Sequence, residues 1–357
     1  MMIWFLLITA AIALLLQGLS LRKGLDGVEG DHKPDKLLVE PDETFRIRVT
    51  LRNGTRRFIP FLRVRERLEE PLRPREEKGH TTDKRNGSSL VELTTWLRPR
   101  QQLTCDIPVV LTRRGRYVLQ NFALCSGDFL GLREKEKRCG RFREVVAAPK
   151  ELPSARLSEI FGGFLGEMSV TRFILEDPVL TLGFREYTGR EPMKSISWAQ
   201  SARMNQLMVR KNDYTQEPSA AVILNVESTR EDREEVLEIC FSLARTVCSM
   251  LEKEGVRYSF VSNAALLGGG DGWGNAVDGL GERHYQGILE RLGRASYEPV
   301  MSLARMLEQE AARPASAGRI LITVGGEPLP QRPLNRLREA ASGRLLILDG
   351  LEAAQWQ

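Results

Sequence analysis

The chain has 357 residues, enough for two soluble domains with a core each, and its 42% hydrophobic and 28% charged content excludes a disordered or collagen-like polymer. Fifty-two basic residues against 47 acidic ones leave a net charge of +5, a mixed surface that excludes a polycation built for nucleic acid. The five cysteines (Cys105, Cys125, Cys139, Cys240 and Cys248) show no CxxC spacing, so reduced thiols are expected rather than a zinc site or a disulfide framework.

Residues 1–21 carry no charge, and the run through Ile3, Trp4, Phe5, Leu6 and Leu7 to Leu14, Leu15 and Leu16 predicts an N-terminal transmembrane helix. About 20 residues at 1.5 Å each span the hydrocarbon core. A cleaved signal peptide is the rival, with Gly18-Leu19-Ser20 as its cleavage site, but no basic region precedes the run. Arg22, Lys23, Lys33 and Lys36 all follow it. The positive-inside rule therefore predicts a single-pass protein of the cell membrane with its soluble bulk in the cytoplasm.

Residues 22–36, rich in Gly, Asp and Lys, predict a linker. Residues 37–150 predict an all-β sandwich. Phe45 to Leu51 alternates apolar and polar at period two and is followed by the turn signal Asn53-Gly54. Similar stretches start at Phe61, Leu90, Ile107 and Tyr117, and the polar stretch Pro71 to Ser89 reads as a long loop. Arg46, Arg48, Arg63, Arg65 and Arg67 alternate with apolar residues, which predicts a solvated sheet face with some attraction for anionic lipid.

From residue 216 to 352 the period changes. Ser219 to Val226 reads as a buried parallel strand, and Val236, Cys240, Leu243, Val247 and Leu251 form one face of a helix that Gly255 stops. Further strands are expected at Val256–Val261, Arg319–Val324 and Arg344–Leu348. Strands alternating with helices predict an α/β domain with a mostly parallel sheet covered on both faces.

A connecting segment, 151–215, carries Arg185-Glu186-Tyr187, Ile196, Trp198 and Ser201-Ala202-Arg203. Read physically, this set of charged and aromatic anchors is a structural latch, with Trp198, Ser201 and Ala202 on one helical face and Arg203 reaching a carboxylate such as Glu186. The spacing resembles the signature of a bacterial family catalogued as domain of unknown function number fifty-eight, in which Arg-Glu-Tyr, Gly-Asp, a basic pair, Ile-x-Trp and Ser-Ala-Arg follow one another. Arg114-Gly115-Arg116-Tyr117 and Gly127-Asp128-Phe129-Leu130-Gly131-Leu132 resemble the family's sandwich turns. The chain departs from the pattern at Arg190-Glu191, where the family has Gly-Asp, and at Lys194-Ser195, where it has a basic pair.

The resemblance implies a von Willebrand A-like, Rossmann-like fold for the C-terminal half. It also implies partners: MoxR-type AAA+ ATPases, and in some relatives membrane transglutaminase-like proteins. A-type domains commonly hold magnesium or manganese through Asp-x-Ser-x-Ser plus a later Thr and Asp. Here the corresponding loop reads Asn225-Val226-Glu227-Ser228-Thr229, and the later one starts at Thr323 and lacks the Asp. A degenerate cation site is therefore expected at Asn225, Glu227, Thr229 and Thr323, with no bound cofactor.

No catalytic residues are assigned. His32 falls in the linker, His80 in a polar loop, and His284 has no signature around it. Gly268 to Gly274 lacks the Gly-Lys-Ser/Thr of a phosphate loop, which leaves Trp273 as a docking tip. The expected function is a non-enzymatic, membrane-tethered assembly adaptor that binds the bilayer and a protein partner. The alternatives are cation-dependent ligand binding and, more remotely, a hydrolase using Glu186 or Glu227.

Overall fold

The computed structural model describes residues 25–75, 81–85, 87–127, 134–174, 181–189, 193–212, 219–268, 276–313 and 317–356, with Trp4 and Ile8. The chain divides into two units, Met1–Lys150 and Glu151–Gln357. No helix among the described residues is long and apolar enough to cross a membrane. The expected anchor, 1–21, lies outside them except for Trp4 and Ile8, both helical and exposed.

The first unit is a β-sandwich. Its strands are β1 (Val28–Pro34), β2 (Leu38–Val39), β3 (Thr44–Asn53), β4 (Ile59–Glu69), β5 (Leu72–Pro74) and β6 (Thr81–Arg85). They continue with β7 (Ser88–Leu97), β8 (Gln102–Leu111), β9 (Gly115–Leu119), β10 (Phe122–Gly127), β11 (Glu134–Cys139) and β12 (Arg143–Ala147). Three sheets run in the orders β1-β3-β8-β5, β11-β10-β4-β7-β6 and β2-β12-β9. The period-two reading sets the inward faces: Phe45, Ile47, Val49 and Leu51 of β3 and Leu62, Val64 and Leu68 of β4 share one core.

Two expectations are corrected here. The linker 22–36 contains β1, which pairs antiparallel with β3 from Val28↔Asn53 to Pro34↔Ile47. Its polar composition hid it because one of its inward residues is a histidine, His32. The loop expected from Pro71 to Ser89 contains β5 and β6, paired to β8 and β7. Polar side chains suit such short strands, where backbone hydrogen bonds supply the pairing. The alternating arginines do face outward, and most pair with acids: Arg48 with Asp106 (3.0 Å), Arg65 with Glu92 (2.8 Å) and Arg63 with Glu134 (3.2 Å).

The second unit is α/β. Its strands are β13 (Thr181–Glu186), β14 (Met208–Asn212), β15 (Ser219–Leu224), β16 (Arg257–Ser262), β17 (Ala264–Leu266), β18 (Ala276–Gly279), β19 (Ala295–Pro299), β20 (Ala317–Thr323) and β21 (Leu345–Asp349). Its helices are α1 (Ala155–Ile174), α2 (Trp198–Met204), α3 (Arg233–Lys253), α4 (Glu282–Arg294), α5 (Leu303–Ala311), α6 (Gln331–Ala340) and α7 (Gly350–Ala354). The main sheet has the order β18-β16-β15-β20-β21, with β15 parallel to both β16 and β20 and β18 antiparallel at the edge. Both faces are covered, as the uniformly apolar strands require. Val222, Leu224, Ile320 and Ile322 pack with Leu237, Cys240, Leu243 and Val247 of α3, whereas Ile223 and Leu321 pack with Met306 and Leu307 of α5 and Leu334 and Leu337 of α6.

Helix α3 follows its spacing. Glu234 and Glu235 sit in its first turn and Lys253 in its last, matching the helix dipole, and Gly255 at φ +66° follows its end. The segment 151–215, expected to connect two bodies, belongs to the second unit: Leu157, Phe161, Phe164 and Met168 of α1 join its core. Gly318 on β20 permits that approach, because a Cβ there would stand 2.7 Å from the Phe164 ring and 2.9 Å from Met168 Sδ.

An ionisable pair, His32 and Glu66, is buried in the sandwich. His32 is 0% and Glu66 1% exposed, with Nδ1 3.1 and 3.2 Å from the two carboxylate oxygens. The other ring nitrogen, Nε2, donates to the Arg141 carbonyl at 2.9 Å. Burial alone would lower the histidine, but the Glu66 carboxylate and the Arg141 carbonyl outweigh it and hold His32 above its ordinary range. Burial pushes the Glu66 carboxyl up, against the pull of His32. Both shifts mean that the folded pair holds a proton more tightly than the unfolded chain does. The resulting stability is fully present below the unfolded histidine value of about 6.5 and is lost as pH rises through the raised folded value. The melting temperature should therefore fall between neutral and alkaline pH, and Glu66→Gln should flatten that slope. Thermal melts of both proteins across this range check it, and an unchanged slope in Glu66→Gln would refute the assignment.

Candidate functional site

In an open α/β sheet, ligands bind beyond the carboxyl ends of the strands where the strand order reverses. Here that point lies between β15 and its two neighbours, and the loops after β15 and β20 carry the four positions expected to form a degenerate cation site. The structure brings Asn225 into contact with Thr323 and with the Glu227 backbone, and gives the Glu227 carboxylate and Thr229 other partners.

Asn225 is 2% exposed, and its four hydrogen-bonding positions are all used. Nδ2 donates to Thr323 Oγ1 (3.3 Å) and to the Glu227 carbonyl (3.1 Å), while Oδ1 accepts from Glu227 N–H (3.1 Å) and Asn263 Nδ2 (2.8 Å). An aspartate would set a second anionic oxygen against the Glu227 carbonyl, so the amide is the group that fits. Asn263, fully buried after β16, completes the link: its Oδ1 accepts from Val226 N–H (2.8 Å) and its Nδ2 also donates to the Met301 carbonyl (3.2 Å). Sequence reasoning missed Asn263, although a lone asparagine after an apolar strand is a signal of this kind.

The carboxylates are also engaged. Glu227 Oε2 accepts from Leu303 N–H at 2.5 Å, capping the start of α5, where a negative charge meets the helix dipole. Glu327, from the loop after β20, takes three hydrogen bonds on Oε1: from Ser228 Oγ (3.0 Å), Thr229 N–H (2.7 Å) and Thr229 Oγ1 (2.8 Å). Partial burial would raise Glu327, but these bonds and the nearby Arg230 guanidinium outweigh it and hold the carboxyl below its ordinary range. Both hydroxyls that would face a cation thus point their protons at an internal carboxylate. Among the described residues no cluster of three or more His, Cys, Asp or Glu has metal-ligand spacing.

The loop carrying Glu327 turns through Gly325 (φ +88°) and Gly326 (φ +72°). Asp349 caps α7 through Oδ1, which accepts from Leu351 N–H at 2.8 Å, and a Cβ on Gly325 would stand 1.9 Å from that oxygen.

The family-like signature forms a separate element. β13 and β14 pair antiparallel, and Ile196 bridges to Val209. Ser201 is its internal tie: its buried hydroxyl donates to the Ser197 carbonyl (2.8 Å) and accepts from Met208 N–H (2.8 Å). Ile196 is also buried and Tyr187 half-buried, with Tyr187 N–H donating to the Leu207 carbonyl (2.8 Å). Arg185, Glu186, Ala202 and Arg203 are exposed, and Glu186 accepts from Gln206 Nε2 (3.1 Å) rather than from Arg203.

The latch expectation is corrected at its centre, because Trp198 is 63% exposed and fills no cavity. Ser201 faces inward instead, since the two-turn α2 turns its hydroxyl toward the backbone it must satisfy. Phe184, Met193, Met204 and Leu207 are exposed in the same segment.

The remaining candidates resolve simply. His284 packs edge-on against Tyr258 at 4.8 Å and its Nε2 lies 2.9 Å from the Tyr258 carbonyl, a structural contact. His32 belongs to the buried pair rather than to a linker, and His80 and Trp273 lie outside the described residues. Gly325→Ala should lower stability by about 2 kcal/mol or more, from the left-handed backbone and the loss of the Asp349 cap. Denaturant unfolding checks it, and an unchanged midpoint would mean that Asp349 yields freely.

No family model matches the sequence, and no curated relative matches it. Solved structures give distant likenesses. The CARDB domain of a Pyrococcus furiosus protein is 16% identical over 34% of this chain and 86% of its own, at a TM-score of 0.23. A cohesin module from a Clostridium perfringens glycoside hydrolase is 10% identical over 34% of this chain and 96% of its own, at 0.24. The major pilin SpaD of Corynebacterium diphtheriae is 9% identical over 36% of this chain and 38% of its own, at 0.26.

Proposed function

We propose that this chain is a non-enzymatic assembly adaptor of the cell membrane, tethered by residues 1–21, with its soluble bulk in the cytoplasm and a von Willebrand A-like domain that engages a protein partner. The partner class is the one the signature resemblance implies, a MoxR-type AAA+ ATPase, with a membrane transglutaminase-like protein as the second candidate. One observation carries the recognition role: Trp198, at the centre of the signature, stands 63% exposed, and the same segment also exposes Met193, Met204 and Leu207. Exposed aromatic and methionine side chains grouped in one segment are the composition of an interface hot spot. The A-like reading is supported by the order β18-β16-β15-β20-β21, which places the first parallel strand in the middle and the antiparallel strand at an edge.

Catalysis by Glu186 or Glu227 has no support in the geometry, since Glu186 is exposed beside Gln206 and Glu227 caps α5. The cation-dependent alternative requires Glu327 to leave Ser228 and Thr229. Calorimetric titration with magnesium or manganese should give no saturable binding at millimolar metal, whereas a micromolar site lost on Glu227→Ala would establish the alternative.

Trp198→Ala tests the recognition surface. Removing an exposed side chain should leave the melting temperature nearly unchanged, while an interface anchor of this type contributes about 2 kcal/mol or more to binding. Capture of the AAA+ ATPase from native membranes should then fall at least about tenfold. Intact capture, or loss of folding, would overturn the reading.

A further inference from the structure

One end of the sandwich is unlike the rest of its surface. The β3–β4 turn and the β7–β8 turn meet there and are locked by one buried side chain. Asn53, 0% exposed, donates through Nδ2 to the Arg57 carbonyl (2.7 Å) and the Arg98 carbonyl (2.9 Å), while its Oδ1 accepts from Thr55 N–H (3.0 Å) and Thr55 Oγ1 (2.7 Å). Arg100 N–H also donates to the Thr55 carbonyl (2.9 Å). The platform presents Arg56, Arg57, Arg98 and Arg100, all exposed and none in an ion pair among the described residues, whereas most strand arginines of the same sandwich are paired.

Between these arginines stand two exposed aromatic rings. Phe58 (52% exposed) and Trp96 (45%) have centroids 5.9 Å apart, and the Arg98 guanidinium lies 5.3 Å from the Trp96 ring. On the adjoining segment the exposed acidic residues are Asp26 and Glu29, two carboxylates against the four arginines, with Glu29 opposite a fifth, Arg52, in the ladder.

The same end receives the N-terminal segment. Gly54 N–H donates to the Gly27 carbonyl (2.8 Å), and Leu25 is buried in the sandwich core. The uncharged run ends at Leu21. Four residue steps at about 3.5 Å allow at most about 14 Å between Leu21 and Leu25. A bilayer holding residues 1–21 therefore lies within reach of this end, which carries arginines for phosphate oxygens and aromatic rings for the interface.

We propose that the Asn53-locked end of the sandwich, with Arg56, Arg57, Arg98, Arg100, Phe58 and Trp96, is a docking surface for anionic phospholipid headgroups. The inference rests on the membrane-anchor reading of residues 1–21. Docking would orient the sandwich on the membrane instead of leaving it to swing on its short tether, and each arginine near an anionic surface contributes about fivefold to the attraction.

The test uses the full chain on vesicles of brominated phosphatidylcholine, with and without phosphatidylserine. Flotation reads the anchor, and the fluorescence quenching difference between wild type and Trp96→Phe reads contact at this end. The chain should float on both vesicles, and Trp96 quenching should be several times greater with phosphatidylserine. The chain R56E/R57E/R98E/R100E, with an unchanged melting temperature, should still float but lose that difference.

Flotation on both vesicles with quenching indifferent to phosphatidylserine or to charge reversal would overturn the docking surface, leave the anchor intact, and assign this end to a protein. Failure to float on phosphatidylcholine alone would overturn the anchor. The docking surface would then survive only if phosphatidylserine vesicles retained the wild type and lost the charge-reversed chain; any other result would overturn it too.

Discussion

The hydrogen bond between Asn225 and Asn263 is the constraint on which the second unit's functional end depends. It joins the loops after two neighbouring parallel strands at the reversal of strand order, where the backbone leaves the sheet. Because Asn225 also holds Thr323, the loop after β20 is tied to the same point. Glu227 and Glu327 then have fixed starting positions, one reaching the start of α5 and the other the Ser228 and Thr229 hydroxyls. A neutral amide suits this post better than a carboxylate because it supplies donors as well as acceptors. The loops at the end where a parallel sheet offers ligands a crevice are thereby bonded to one another.

The sandwich uses buried polar groups in a related way. Its core is built by alternation, and His32, Asn53 and Glu66 are inward positions that break the pattern. Each is satisfied within the fold. The histidine and the glutamate hydrogen-bond between two sheets, and the asparagine locks two turns at one end. Buried groups of this kind cost stability when left unpaired, so they specify which strands and turns must meet. The rigid turns at the Asn53 end set arginines and aromatic rings in fixed positions, the condition for a surface that recognises rather than merely attracts.

The signature segment divides its residues between two tasks. Ile196 and Ser201 hold it together from inside, and Trp198, Ala202 and Arg203 stand outside. Spacing alone grouped Trp198 with Ser201 and Ala202, but in a two-turn helix one inward residue is enough, and the hydroxyl that satisfies both the Ser197 carbonyl and Met208 N–H takes that place. A binding surface of the kind proposed needs such a division, because it must stay exposed while its support is held in place.

Local spacing in the sequence determined a good deal. Period-two alternation marked β3 and β4 and their inward residues, continuous apolar runs marked β15 and β20, and the helical face of α3 was legible from Val236 to Leu251. These features depend on which side of an element is apolar, and neighbouring residues suffice to show that. Tertiary structure alone decided that β1 lies inside an apparent linker and that Glu327 meets Thr229. It also decided that the turns at Arg56 and Arg98 form one end with the chain's entry at Leu25. The physical reason is common to all of these: a polar side chain's role is set by the partner that satisfies it, and that partner comes from a distant part of the chain through strand pairing that local pattern does not encode.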